Sequence, residues 1–153
     1  MINAEPVCFG ARDNQYGVFN ITKSGPLKTM KLVRKSGSII CNPNDPASYW
    51  GCKNQYNYGS NDLLTIITNA KREAVLPPAG DLKTTRGNNI ENHFYNLNGI
   101  THKSPELVFR DLPIQLSVSR SQEFQIWFGQ DWADWSEENN SGKTCVDVYA
   151  WYV

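Results

Sequence analysis

The residues that could carry out chemistry in this chain are concentrated between Asp131 and Asp147. Tryptophan, carboxylate and amide side chains occur together in the stretch DWADWSEENNSGKTCVD, and no other part of the chain is so rich in them. Calcium takes about six to eight oxygen ligands from carboxylates, amides, backbone carbonyls and water. A sugar with two adjacent hydroxyls can complete such a shell while an indole covers the apolar face of its ring. The segment therefore predicts calcium-assisted sugar binding, with Trp132 and Trp135 as the stacking residues.

The spacing of the acids does not by itself identify a metal site. The segment lacks the Asp-x-Asp-x-Asp-Gly order of an EF-hand, and acidic loops rich in Asn and Gly are often solvated turns. It joins two strand-like stretches, EFQIWF and CVDVYAWYV. If these two strands pair as a hairpin, the first and last acids, Asp131 and Asp147, approach each other.

The rest of the chain has the pattern of an all-β protein. Short stretches rich in β-branched and aromatic residues recur between Gly, Pro and Asn, which predicts an antiparallel sandwich or barrel. The expected strands are QYGVFNIT, MKLVRKS, SIIC, LLTIIT, HFYNL, ELVF, IQLSVSR, EFQIWF and CVDVYAWYV. In LLTIIT the β-branched run favours a strand over a helix capped by Asn61 or Asp62.

Two local patterns within these strands are specific. Asn98-Gly99 between HFYNL and ITHKS predicts a type I′ hairpin turn, which needs positive φ angles at both central residues. The final stretch alternates, so that Val146, Val148, Ala150 and Tyr152 share one face, which is predicted to be the core face.

The four cysteines predict two disulfides, because no pattern of close Cys pairs typical of zinc sites is present. Cys41 and Cys52 enclose a short, turn-rich stretch, which makes a local bridge the simplest of the three connectivities. Cys8 then pairs with Cys145. Disulfides indicate an oxidising compartment, so the protein is expected to be secreted. The start, MINAEPVCFG, lacks the features of a signal peptide, so a secreted protein would have lost its signal.

Composition limits the classes of partner. The chain has 153 residues, which predicts one domain over residues 1–153. Lys and Arg together number 15, as do Asp and Glu, so no net charge attracts nucleic acid or an anionic membrane. No apolar run is long enough to insert into a membrane. Binding must therefore come from a local site, and the sequence leaves open whether the chain forms a homodimer.

Three parts of the sequence resemble a family of secreted cnidarian proteins. The matching stretches are CFGARDNQYGVF near the start, SYWGC in the middle, and IWFGQD followed by SEENNSGKTCVDVY near the end. The resemblance is weak from about residue 54 to residue 112. The family includes a calcium-dependent, galactose-binding sea-anemone lectin.

The resemblance implies a secreted all-β lectin that binds galactose-containing glycans through Ca²⁺. Carried onto this sequence, it implies that Glu137, Asn139 or Asn140, and Asp147 contact the metal and the sugar hydroxyls, with a loop tryptophan against the ring. Together with Asp131, these residues form the expected ligand set. The Glu-Pro-Asn, Gln-Pro-Asp and Trp-Asn-Asp triplets of ordinary C-type lectins are absent, so the site cannot be copied from that family.

Two other functions compete with a lectin. His93 and His102 have no catalytic partner beside them in the sequence, and we interpret each as a polar-loop or strand-edge residue. With the cysteines oxidised, no thiol nucleophile remains, and we expect the protein not to be an enzyme. A glycoside hydrolase that uses the loop carboxylates is the weaker alternative. An adhesion module that binds protein through the tryptophans is the other.

Overall fold

The computed structural model describes residues 1–53, 58–83, 93–134 and 137–153. Within these ranges the chain is almost entirely β, as predicted. Its strands are β1 (Val7–Gly10), β2 (Gly17–Asn20), β3 (Gly25–Ile40), β4 (Thr65–Asn69), β5 (Ala74–Leu76), β6 (Glu106–Val108), β7 (Leu116–Val118), β8 (Glu123–Phe128) and β9 (Ser141–Tyr152). The described residues add one short helix, α1 (Gly129–Trp132), and one 3-10 turn (Ala79–Asp81). No helix among them is long and apolar enough to cross a membrane.

The strands form two antiparallel sheets. The first has five strands in the order β1-β9-β3-β6, with β7 pairing with another part of β3, and the second has the order β2-β8-β4-β5. Apolar residues of both sheets belong to one buried cluster between them, such as Leu32 and Val148 from the first sheet and Phe124 and Ile126 from the second. The prediction of an antiparallel two-sheet architecture is confirmed.

β9 confirms the face predicted from its alternation. Val146 and Val148 are fully buried, while Ala150 and Tyr152 are partly buried against the same core. The β-branched stretch LLTIIT also forms a strand, β4, rather than a helix.

Three local predictions differ from the structure. β3 is one continuous strand where two were expected, because it pairs with β9 along most of its length through two register shifts. HFYNL forms isolated bridges to Leu63 and Lys83 rather than a strand. At Asn98-Gly99 only Gly99 has a positive φ, of 76°, and Ile100 N–H donates to the Leu97 carbonyl. This turn is therefore not the predicted type I′ hairpin turn.

Both predicted disulfides are present. Cys41 is bonded to Cys52 and Cys8 to Cys145. Cys8 and Cys145 are directly opposite each other in the β1–β9 ladder, so the second bridge joins the first and last strands of the chain.

Candidate functional site

Two connections between the sheets run side by side at one end of the molecule. The N-terminal crossover (residues 11–16) leads from β1 to β2, and the C-terminal crossover (residues 129–140) leads from β8 to β9. β1 pairs with β9 and β2 pairs with β8, both antiparallel. The end of β1 therefore lies beside the start of β9, and the end of β8 lies beside the start of β2. This topology brings two segments distant in sequence into contact.

The Asp131 carboxylate links the two crossovers by hydrogen bonds. One carboxylate oxygen accepts the Asn14 backbone N–H at 2.9 Å and the other accepts the Gln15 N–H at 3.0 Å. These amides are presented by a tight turn in which Asp13 and Asn14 both have φ near +60°, a conformation that short polar residues adopt more readily than most. Asp131 is itself buried. It therefore acts as a buried acceptor for backbone groups of the N-terminal crossover.

Gly129 lets the C-terminal crossover start close to neighbouring backbone. A Cβ atom at this position would lie 2.2 Å from the His93 carbonyl oxygen and 3.1 Å from that of Leu64. Only glycine fits without moving the backbone, and α1 follows directly from it. The close approach fixes where Gln130 and Asp131 enter the interior.

Asn140 is oriented by its buried neighbours. Its Nδ2 donates to the Ala11 carbonyl at 3.0 Å and to Gln130 Oε1 at 2.8 Å, and Gln130 Nε2 in turn donates to the Tyr58 hydroxyl at 3.4 Å. With both amide hydrogens in use, the Oδ1 atom must point the other way. It is buried and accepts no hydrogen bond from the described residues.

Glu137 is the first residue of a turn that ends at Asn140. The Asn140 N–H donates to the Glu137 backbone carbonyl at 2.9 Å, which closes a four-residue turn. The Oε2 atom of Glu137, like Oδ1 of Asn140, is buried and has no hydrogen-bond partner within the described part of the chain. Leaving buried oxygens without a donor costs free energy, about 1–3 kcal/mol each. Two such atoms at one turn are thus available to accept from a donor group or to coordinate a cation.

The carboxylates around this turn repel one another. The pKa of Glu137 is raised from 4.5 to about 7, and burial is the largest cause. The charges of Asp131, Asp134 and Asp13 and a hydrogen bond with Asp134 also raise it. Burial also raises the pKa of Asp131, although the N–H groups of the N-terminal crossover oppose this shift. Carboxyl groups from both crossovers thus form one acidic cluster, which is defined here as Asp13, Asp131, Asp134 and Glu137.

The donor types of this cluster fit a hard cation. Carboxylate oxygens and the amide oxygen of Asn140 are ligands that Ca²⁺ prefers, and a cation would relieve the repulsion that raises the pKa of Glu137. In the described residues, no three His, Cys, Asp or Glu side chains are arranged so that they could hold a metal ion. The chemistry therefore fits calcium, while binding would require the carboxylates to draw closer together.

The remaining predicted loop residues have different surroundings. Trp132 Nε1 donates to the Arg72 carbonyl at 3.0 Å, and the indole packs partly against the core. Asn139 is exposed at the tip of the turn. Trp135 lies outside the described residues.

Asp147 is not brought to the cluster. The hairpin of EFQIWF with CVDVYAWYV, on which an approach of Asp131 and Asp147 depended, does not form, because β8 and β9 belong to different sheets. Asp147 is paired in register with Val33 and lies roughly 20 Å along β9 from its first residue, Ser141, at about 3.3 Å per residue. Its carboxylate accepts a hydrogen bond from Asn3 at 3.0 Å and lies 3.8 Å from Lys35 Nζ.

The sequence alone did not indicate that residues of the N-terminal crossover lie at the candidate site. Asp13 joins the acidic cluster, and Tyr16 stacks on Trp127 with ring centroids 4.6 Å apart. The available signal was the stretch ARDNQYG, in which an acid, two amides and a tyrosine precede a strand. Nothing in the sequence showed that this stretch lies against residues more than a hundred positions away.

The two histidines lie outside the strands, which agrees with their interpretation as loop residues, but both are buried. His93 Nε2 lies 2.6 Å from the Tyr58 hydroxyl, and His102 Nδ1 lies 2.8 Å from Ser48 Oγ. Burial lowers the pKa of His102, and the nearby Lys53 and Lys103 lower it further. Ser48 is also buried, so the Ser48–His102 pair has no access to a substrate.

No model of a known protein family matches the chain, and no curated protein sequence matches it either. Among solved structures, the chain is similar to AJLec from the sea anemone Anthopleura japonica, with a TM-score of 0.79 and 30% sequence identity. The similarity covers 99% of this chain and 95% of the other. It therefore includes both crossovers as well as the two sheets.

Proposed function

Because the chain belongs to the family of the sea-anemone lectin AJLec, we propose that it is a carbohydrate-binding protein whose site lies where the two crossovers meet. The observation that carries this proposal is the pair of buried, unpartnered oxygens on Glu137 and Asn140. They belong to a turn of the segment in which the sequence concentrates acids, amides and tryptophans. Most buried polar atoms in native structures have a hydrogen-bond partner, so two unpartnered oxygens at one turn support a ligand site.

The same proposal includes calcium. Glu137 and Asn140 each offer a free oxygen, and Asp13, Asp131 and Asp134 supply the surrounding negative charge. Calcium bound there would present open coordination positions to the hydroxyls of a sugar. The protein's part is to hold these oxygens in place through Gln130 and the backbone of the N-terminal crossover. Asp147 is left outside this ligand set because of its position on β9.

The finer parts of the proposal are galactose as the sugar and secretion as the location. Galactose is supported by the resemblance of CFGARDNQYGVF, SYWGC and SEENNSGKTCVDVY to a family that includes a calcium-dependent galactose-binding lectin. Secretion is supported by two disulfides, which persist in oxidising compartments. A homodimer stays a prediction, which light scattering of the purified chain would test.

Retention on a galactose column tests the proposal. We expect the protein to be retained with calcium, released by EDTA, and retained again after calcium is restored. Glu137→Gln should abolish retention because it removes a charged oxygen from the centre of the acidic cluster. Glu138→Gln is the matched control, because its side chain is exposed. Full retention of Glu137→Gln would contradict this site, and retention unaffected by EDTA would contradict the role of calcium. Absence of retention even with calcium would instead favour the protein-binding module.

One observation also suits a hydrolase. A carboxyl with a pKa of about 7 beside other carboxylates resembles the general acid of a glycosidase. We expect no release of p-nitrophenol from nitrophenyl galactosides, because a cation that neutralises the cluster would also remove the proton from Glu137. Turnover that Glu137→Gln abolishes would favour the hydrolase.

A further inference from the structure

Three side chains form a stack on the second sheet, on the face of β8 opposite Phe124, Ile126 and Phe128. The Tyr16 ring lies on the Trp127 indole, at 4.6 Å between centroids and 23° between planes. The Arg72 guanidinium lies 4.5 Å from the centre of the same indole. β8 lies between β2 and β4, so Tyr16 contacts the Trp127 indole from the β2 side and Arg72 contacts it from the β4 side. The stack is built from β8 and from residues just outside β2 and β4.

Tyr16 leaves part of its ring free. Trp127 is almost fully buried, but Tyr16 is 40% exposed. A groove of about 580 Å³ opens beside it, between β1 and β2, and the ring of Tyr16 forms part of its wall. The exposed ring is nonetheless fixed in place, since stacking on a buried indole limits its rotation.

Tyr16 and Arg72 each connect the stack to Asp131 of the acidic cluster. Tyr16 directly follows Gln15, whose N–H donates to Asp131. Arg72 donates to the Trp132 carbonyl at 2.8 Å, and its charge acts on Asp131. Both ends of the stack are therefore connected to Asp131, one member of the cluster.

We propose that the exposed face of Tyr16 is the surface on which the sugar ring stacks. This inference rests on the proposed function and assigns the aromatic role to a residue outside the Trp132–Trp135 pair. The face of a pyranose that carries mainly C–H groups packs well on an aromatic ring, and a ring already held in place loses little side-chain entropy on binding. Trp132 is less suited, because its N–H is bonded to the Arg72 carbonyl and its indole packs against the core.

Substitutions of Tyr16 test the proposal by calorimetry with methyl β-galactoside in saturating calcium. Tyr16→Ala should weaken sugar binding about five- to tenfold, whereas Tyr16→Phe should stay close to the wild type. Calcium affinity, measured without sugar, should be unchanged in both variants. Trp151→Ala is the matched control, since Trp151 is 41% exposed on the other sheet and should bind sugar normally.

The outcomes separate this inference from the proposed function. If Tyr16→Ala binds sugar as the wild type does while Glu137→Gln does not, the site stands and the stacking role of Tyr16 is overturned. If Tyr16→Ala loses calcium as well as sugar, Tyr16 acts by holding the crossovers together, and the stacking role is again wrong. If the wild type binds no sugar at all, the proposed function fails first.

Discussion

At the scale of single residues, buried atoms without a hydrogen-bond partner indicate the candidate site more narrowly than residue types do. Acids and amides occur all along the C-terminal crossover, but most of them face solvent or have partners. Asn140 differs because Ala11 and Gln130 use both of its amide hydrogens, which leaves Oδ1 buried and unpartnered. Such an orientation costs stability unless a ligand uses it. Gln130 is therefore the residue that we expect to position Asn140.

Glu137 should make the calcium-free protein less stable as the pH rises. Its pKa is about 7 in the folded protein against 4.5 as the ordinary value, so the folded state holds this proton more tightly than the unfolded state does. The resulting contribution to stability is fully present below the lower value and is lost as the pH rises through about 7. Melting in EDTA at about pH 5.5 and about pH 8 measures it. Glu137→Gln should show a smaller loss, and equal losses in both proteins would contradict the assignment.

At the scale of elements, the site depends on the pairing of crossovers rather than on one loop. β1 with β9 and β2 with β8 place the two connections together. The two N–H bonds to Asp131 then fix their contact. The C-terminal crossover alone, as the sequence presents it, would lack Asp13 and Tyr16.

Asp131→Asn should loosen this contact. An amide can accept only one of the two N–H groups of Asn14 and Gln15 and turns its own N–H₂ towards the other, so we expect a loss of about 1–3 kcal/mol in unfolding free energy. Urea denaturation measures the loss. Asp134→Asn is the matched control, because it removes a charge from the same cluster without touching those backbone bonds. Equal stability of the two variants would contradict a role of the Asp131 hydrogen bonds in holding the two crossovers together.

At the scale of the whole molecule, calcium should stabilise the fold. A ligand that binds only the folded state adds roughly 2.7 kcal/mol at a hundredfold excess over its Kd, and for a chain of this size that raises Tm by roughly 5–10 °C. We expect this rise with calcium and a smaller one with magnesium, which requires shorter bonds in near-ideal octahedral geometry. Scanning calorimetry measures both. Identical Tm values with calcium and with EDTA would rule out the metal site.

The sequence by itself determined the strand character and the buried face of β9, and it favoured the disulfide pairing that the structure confirms. These features depend on local alternation, on turn residues and on the small number of cysteine pairings. It also showed which segment concentrates oxygen ligands and indoles, because that concentration is a property of composition.

Only the tertiary structure decided which of these residues meet. Strand alternation shows which face is apolar, but it does not show which sheet a strand joins, because pairing partners are chosen through contacts distant in sequence. The placement of β8 and β9 in different sheets removed Asp147 from the site and turned their connection into a crossover. The same placement brought Asp13 and Tyr16 next to this C-terminal crossover. The proposed site thus draws on two segments, Asp131 to Asn140 and residues 11–16.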